Sequence, residues 1–75
     1  MELFERVVLL KDLPDTEFIK GDIATIVEIY QGGKGFDIEF FAADGSTLGV
    51  ETVMSDMVIS CKGMKGVLHI HNIAA

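Results

Sequence analysis

The chain has 75 residues, which is the size of one small domain. Its net charge of −6 comes from 12 acidic residues against 6 basic ones, a balance that disfavours binding to nucleic acids or anionic membranes. Hydrophobic residues make up 49% of the chain, which is a high share for so small a domain. We therefore expect part of its apolar surface to be covered by another chain.

The composition also indicates the cellular location and whether the chain can bind a metal or cofactor. Cys61 is the single cysteine, so no internal disulfide can form, and one cysteine with two histidines falls short of the usual zinc ligand sets. The acidic N-terminal segment lacks the basic region of a signal peptide, and no apolar run approaches the roughly 20 residues of a membrane span. These features predict a cytoplasmic protein that holds no metal or cofactor.

Short runs rich in β-branched residues, separated by turn residues, predict an all-β fold. The first strand covers residues 6–11 and is broken at Pro14, which restricts both its own backbone and that of the residue before it. The strongest strand signal, residues 23–30, follows the turn Lys20-Gly21-Asp22. Three further strands are predicted at residues 36–41, 48–53 and 58–61, with a glycine-rich hairpin loop at 31–35 and an Asp-Gly turn at 44–45.

Side-chain alternation along a strand predicts which residues face the core. On the strand at 23–30 it places Ile23, Thr25, Val27 and Ile29 inward and Ala24, Ile26, Glu28 and Tyr30 outward. On the strand at 36–41 it places Phe36, Ile38 and Phe40 inward and Asp37, Glu39 and Phe41 outward.

Five short antiparallel strands at this spacing predict a small five-stranded SH3-like barrel over residues 1–61. Residues 62–75 begin as a glycine-punctuated linker and continue into Val67–Ile73, a candidate for an extra C-terminal strand or a tail. The same segment carries His69 and His71, which would share one face of a strand and offer an open metal site. An exposed strand face or a tail is the favoured interpretation of the two histidines.

A spaced series of motifs gives the chain a family resemblance. The series consists of Val7-Val8-Leu9, Asp12-Leu13-Pro14, Lys20–Val27, Phe36–Phe40 and Asp44–Thr47. Over residues 3–61 the chain resembles a group of short bacterial proteins known as domain of unknown function 4926. The resemblance implies an SH3-like fold and brings with it no catalytic or ligand-binding residue.

The Lys20-Gly21-Asp22 strand start is also similar to the KOW-type SH3-like barrels of ribosomal and transcription factors. Those barrels usually carry glycine where this chain has Ala24, and the ones that bind RNA are commonly basic. These two differences weaken the similarity, and a nucleic-acid-associated KOW-like barrel is kept as the alternative interpretation of the function.

Apolar and acidic residues on the outward phase form a candidate interaction face. Its members are Ile26, Glu28, Tyr30, Asp37, Glu39, Phe41 and Glu51, and Val53 also falls on the outward phase. Such a face can dock a basic partner, or it can simply keep an apolar small protein in solution. Instead of a partner, residues 62–75 of the same chain could fold back and cover the apolar residues of this face.

Two further motifs suggest a function but are explained more simply by structure. Cys61 suggests a nucleophile, but a cysteine that ends a strand is usually a small core residue. Gly32-Gly33-Lys34-Gly35 suggests a phosphate loop, but it lacks the spacing and the following helix of one, so we interpret it as a hairpin tip. The sequence therefore predicts no catalytic, cofactor-binding or metal-binding residue, although a metal-dependent enzyme built on His69 and His71 is a third hypothesis.

The hypothesis that best fits these observations is a non-catalytic protein-interaction module. It would bind a protein partner, or a second copy of itself as a homo-oligomer, through the apolar and acidic sheet face. No small-molecule substrate is evident, because a barrel of this size has little room for a pocket of about 300 Å³ or more.

Overall fold

The computed structural model describes residues 1–63, which form a single antiparallel sheet. The strands are β1 (Arg6–Leu9), β2 (Ile23–Tyr30), β3 (Gly35–Phe41), β4 (Thr47–Met54) and β5 (Val58–Ser60). Single turns of 3₁₀ helix cover Ser55–Met57 and Cys61–Gly63. The predicted all-β fold with five strands is confirmed, while the candidate strand Val67–Ile73, with its two histidines, lies outside the described residues.

The strands lie in the order β4-β3-β2-β1-β5, so β4 and β5 form the two edges of the sheet. No hydrogen-bonded ladder joins these edges within residues 1–63, and the sheet therefore stays open where a closed barrel was predicted. The chain itself connects the edges, because β4 runs into β5 through the three residues Ser55–Met57. No helix in this described part is long and apolar enough to cross a membrane.

A β-bulge in β2 reverses the predicted alternation in the first half of that strand. Ile26 pairs with Ile38 and Glu28 with Asp37, which leaves Val27 as an extra residue between two paired positions. Ile26 is fully buried before the bulge, so its predicted outward position is wrong. After the bulge the phase agrees with the prediction, and Glu28 is exposed.

The turn Lys20-Gly21-Asp22 fastens the start of β2 to β1. Gly21 has φ of +96°, a conformation that costs glycine little, and its N–H donates to the Leu9 carbonyl at 2.9 Å. The buried carboxylate of Asp22 accepts the Ile19 N–H through Oδ2 at 2.9 Å. The predicted turn before β2 is thus confirmed, and hydrogen bonds join it to β1 and to the loop residue Ile19.

The core lies on one side of the sheet and is closed by the loop between β1 and β2. Its buried hydrophobic residues are Val7, Leu9, Phe18, Ala24, Ile26, Phe36, Ile38, Phe40, Val53 and Val58. The loop contributes Phe18, whose ring stacks on Phe40 with centroids 3.8 Å apart. The Phe18 N–H donates to Thr16 Oγ1, and the Phe18 carbonyl accepts the Leu13 N–H at 3.0 Å, so local hydrogen bonds hold this side chain over the sheet.

Candidate interaction surface

The side of β2, β3 and β4 that points away from the core is called the outer face below. It carries Thr25, Glu28, Tyr30, Asp37, Glu39, Phe41, Val50, Thr52 and Met54. Residues directly opposite one another on neighbouring strands share a face, and the register places Asp37 between Glu28 and Thr52. Of the seven residues predicted to form an interaction face, five lie on the outer face.

The other two predicted members, Ile26 and Glu51, do not lie on the outer face. Ile26 is in the core because of the bulge at Val27. Glu51 pairs with Ile38, a core residue, and therefore points to the inner side of the sheet. Val53 points inward as well and is 5% exposed, so its predicted outward position is also wrong.

Asp37 lies at the centre of a hydrogen-bonded group on the outer face. Thr52 Oγ1 donates to its Oδ1 at 2.5 Å, and the Tyr30 hydroxyl donates to its Oδ2 at 2.6 Å. Both bonds favour the ionised carboxylate, so the Thr52 bond first and the Tyr30 bond second lower the pKa of Asp37. The bond to Asp37 in turn raises the pKa of Tyr30, because ionising the phenol removes the donated proton. A tyrosine, an aspartate and a threonine from three strands thus form one hydrogen-bonded, negatively charged group.

The raised pKa of Tyr30 gives a direct test of this hydrogen-bonded group. Tyr30 is the only tyrosine and the chain has no tryptophan, so the ultraviolet absorbance of the phenolate reports this residue alone. We expect Tyr30 in the native protein to ionise above the ordinary value of about 10, and Asp37→Asn to lower its pKa toward that value. Thr52→Val serves as the control, since it removes a bond to Asp37 that does not involve the phenol. An identical Tyr30 titration in the native protein and Asp37→Asn would contradict the arrangement.

The sign of the pH dependence follows from the same two shifts. The pKa of Tyr30 is raised in the folded state, so its bond stabilises the fold below pH of about 10 and is lost as the pH rises through the folded value. The pKa of Asp37 is lowered, so its contribution is present above about 3.9 and is lost as the pH falls through the folded value.

The outer face is anionic and carries no basic side chain. Besides Asp37 it contains Glu28 and Glu39, and the Thr47 hydroxyl donates to Glu39 at 2.6 Å. The one ion pair within residues 1–63 joins Lys62 and Glu2 at 3.7 Å, with both side chains largely exposed. Arg6 of β1 lies on the same side of the sheet, across from Thr25, but within residues 1–63 neither it nor another cation forms an ion pair with the three carboxylates of the outer face.

Exposed apolar side chains surround these carboxylates. Tyr30 and Phe41 are 41% and 40% exposed, and the edge-strand residues Val50 and Met54 are 50% and 62% exposed. Single exposed apolar residues are ordinary, but several on one face of a small sheet are typical of an interaction site. The outer face therefore combines negative charge with accessible apolar surface.

On the inner side of β4, an open groove of about 540 Å³ lies between this strand and the loop between β1 and β2. It is lined by Asp15, Thr16, Glu17, Phe18, Leu48, Gly49 and Glu51. Gly49 lets the loop come close, since a Cβ there would lie 3.3 Å from the Phe18 ring. The sequence did not indicate this groove, because Phe18 reaches β4 by a contact between residues far apart in the chain.

The remaining motifs of the described chain have structural explanations. The Gly33 and Lys34 N–H groups both donate to the Tyr30 carbonyl, at 3.0 and 3.1 Å, which confirms the hairpin interpretation of the glycine-rich loop. Cys61 is partly buried, and burial raises the pKa of its thiol, which disfavours the thiolate that a nucleophile requires. Within residues 1–63, no three His, Cys, Asp or Glu side chains lie close enough together to hold a metal ion.

The five-stranded open sheet and its anionic, partly apolar outer face define a small all-β domain with a candidate interaction surface. The chain belongs to the family described as a domain of unknown function, DUF4926, whose family model matches residues 3–60. This match confirms the resemblance found in the motif series. No curated protein and no solved structure matches the chain.

Proposed function

We propose that the protein is a non-catalytic interaction module that binds a protein partner through the outer face. The observation that carries the proposal is the hydrogen-bonded group of Tyr30, Asp37 and Thr52 beside exposed apolar residues. Hydrogen bonds already hold its members in place, so binding costs these side chains less conformational freedom. Charge complementarity favours a partner that presents lysine or arginine around an apolar centre.

The charge of the outer face also bears on the two other partners predicted from the sequence. A second copy that docked through the same face would bring Glu28, Asp37 and Glu39 against carboxylates of equal charge, which supports a different protein as the partner. The same carboxylates repel a phosphate backbone, so the KOW-like alternative gains no support from this surface. The single cysteine is consistent with a cytoplasmic location for the complex.

The proposal predicts that Phe41→Thr combined with Asp37→Asn weakens partner binding by about tenfold or more, since central aromatic and charged groups dominate interface energies. Native and variant chains, each immobilised at equal density, would be exposed to lysate of the source organism, and a captured protein would then be titrated against both. Leu10→Thr is the matched control, because Leu10 is 41% exposed but lies outside the outer face. Equal binding by the native chain and the double variant would refute the outer face as the contact surface.

A further inference from the structure

Among the strands of residues 1–63, β4 is an edge strand of eight residues with a neighbour on one side only. The Ser55 N–H donates to the Lys34 carbonyl at 2.9 Å, in line with the β3–β4 register. Backbone groups alternate in direction along a strand, so the N–H and C=O groups of Val50, Thr52 and Met54 point away from β3. No described strand lies on that side, and these groups are available to a further strand.

The groove beside this edge is acidic. Asp15, Glu17 and Glu51 line it together with Leu48 and the Phe18 ring, and no basic residue is among its lining residues. None of these three carboxylates takes part in a hydrogen bond or ion pair among residues 1–63. A position added opposite Glu51 would be a non-hydrogen-bonded pair, in which the two side chains come closest.

We propose that the β4 edge binds an extended peptide segment as an added strand, with a lysine or arginine of that segment seated opposite Glu51. Backbone hydrogen bonds to Val50, Thr52 and Met54 would supply affinity, as in other cases of strand addition. The groove supplies selectivity, because a long cationic side chain opposite Glu51 also meets the field of Asp15 and Glu17. This site uses the backbone of three residues whose side chains lie on the outer face, but its cation lies on the inner side opposite Glu51, so it does not depend on the function proposed for the outer face.

Charge also distinguishes this occupant from a second copy of the chain. An inward-pointing charge on an edge strand is a common protection against edge-to-edge pairing of identical molecules. Two β4 strands aligned at Glu51 would place the two glutamates directly opposite each other, which is destabilising. The same position stabilises a partner strand that carries the opposite charge.

The test uses the full chain and the synthetic peptide acetyl-Thr-Val-Thr-Lys-Thr-Val-Thr-amide, with a control peptide that has Glu at the central position. We expect the lysine peptide to slow amide hydrogen exchange at Val50, Thr52 and Met54, as measured by NMR, and the glutamate peptide to have at least about fivefold lower affinity. Equal affinity for the two peptides, or exchange at these amides that the lysine peptide does not slow, would overturn the proposal. Slow exchange of the same amides in the free protein would also overturn it, because another part of the chain would then already pair with the β4 edge. If that slow exchange depended on protein concentration, a second copy of the chain would be the partner.

Variants of the protein test the position of the cation. Glu51→Gln is expected to weaken binding of the lysine peptide by about threefold to fivefold and to leave binding of the glutamate peptide unchanged or stronger. Asp56→Asn makes the same charge change at an exposed residue that does not line the groove, and it should alter the affinity less than twofold at an ionic strength near 0.15 M. Equal effects of the two variants would show that net charge, and not Glu51, controls binding.

Discussion

Replacing Phe40 with alanine is expected to lower the free energy of unfolding by about 3–5 kcal/mol. The Phe40 side chain is fully buried, and its ring stacks on Phe18 at a centroid distance of 3.8 Å. Alanine therefore leaves a cavity and also removes the contact that holds the loop between β1 and β2 over the sheet. Small domains are stable by only about 5–15 kcal/mol, so urea denaturation followed by circular dichroism should show a large fall in midpoint.

The neighbouring residue provides a matched control for this substitution. Phe41 has the same side chain but points to the outer face, where it is 40% exposed. We expect Phe41→Ala to change the free energy of unfolding by about 1 kcal/mol or less. If the two alanine variants lost equal stability, the assignment of inner and outer sides on β3 would be contradicted.

The sides of β3 were predicted correctly because the extra residue of each bulge lies in a neighbouring strand, so β3 itself keeps its two-residue period. Phe36, Ile38 and Phe40 alternate with polar residues, and the pattern alone identifies the buried set. The glycine-rich hairpin and the turn before β2 were equally predictable. Their conformations depend on residues adjacent in sequence, such as Gly21 at positive φ.

The sides of β2 and β4 were harder to predict, because both phases of each strand contain apolar residues. In β2, extrapolation of a strict two-residue period across Val27 assigned Ile26 to the wrong side. In β4, Val50 and Val53 lie on opposite faces, and only the pairing with β3 decides which of them is buried. Pairing is a property of two strands together, so the sequence of β4 alone did not determine it.

The candidate sites were likewise predictable where they depend on local sequence and not where they depend on contacts between distant residues. Five residues of the outer face could be named from alternation, but the contact of Tyr30 with Asp37 depends on the register set after the bulge. Thr52 was not anticipated as a donor, since its contact joins residues 15 positions apart. The groove beside β4 requires Phe18 to fold across the sheet, a long-range contact for which the chain carries no local signal.

The bulge at Val27 leads to the substitution with the largest expected effect, Ile26→Lys. Ile26 is fully buried and pairs with Ile38, so lysine would place an unpaired ammonium group in the core and cost at least about 4 kcal/mol. We expect the variant to be largely unfolded at 25 °C by circular dichroism and amide NMR. If β2 instead followed an unbroken alternation, Ile26 would lie outside and the lysine would be tolerated.

Thr25→Lys completes this test, because the two possible phases of β2 predict opposite outcomes for neighbouring residues. In the structure Thr25 lies on the outer face, directly across from Glu39 on one side and Arg6 on the other. A lysine there gains one opposite charge and one like charge, so its net effect on the free energy of unfolding should stay within about 1 kcal/mol. An unbroken alternation would bury Thr25 and make this variant the unfolded one. A folded Thr25→Lys beside an unfolded Ile26→Lys places Ile26 on the inner side. In a strict two-residue period Tyr30 would share that side, so this result together with the Tyr30–Asp37 contact seen in the phenol titration requires the bulge at Val27.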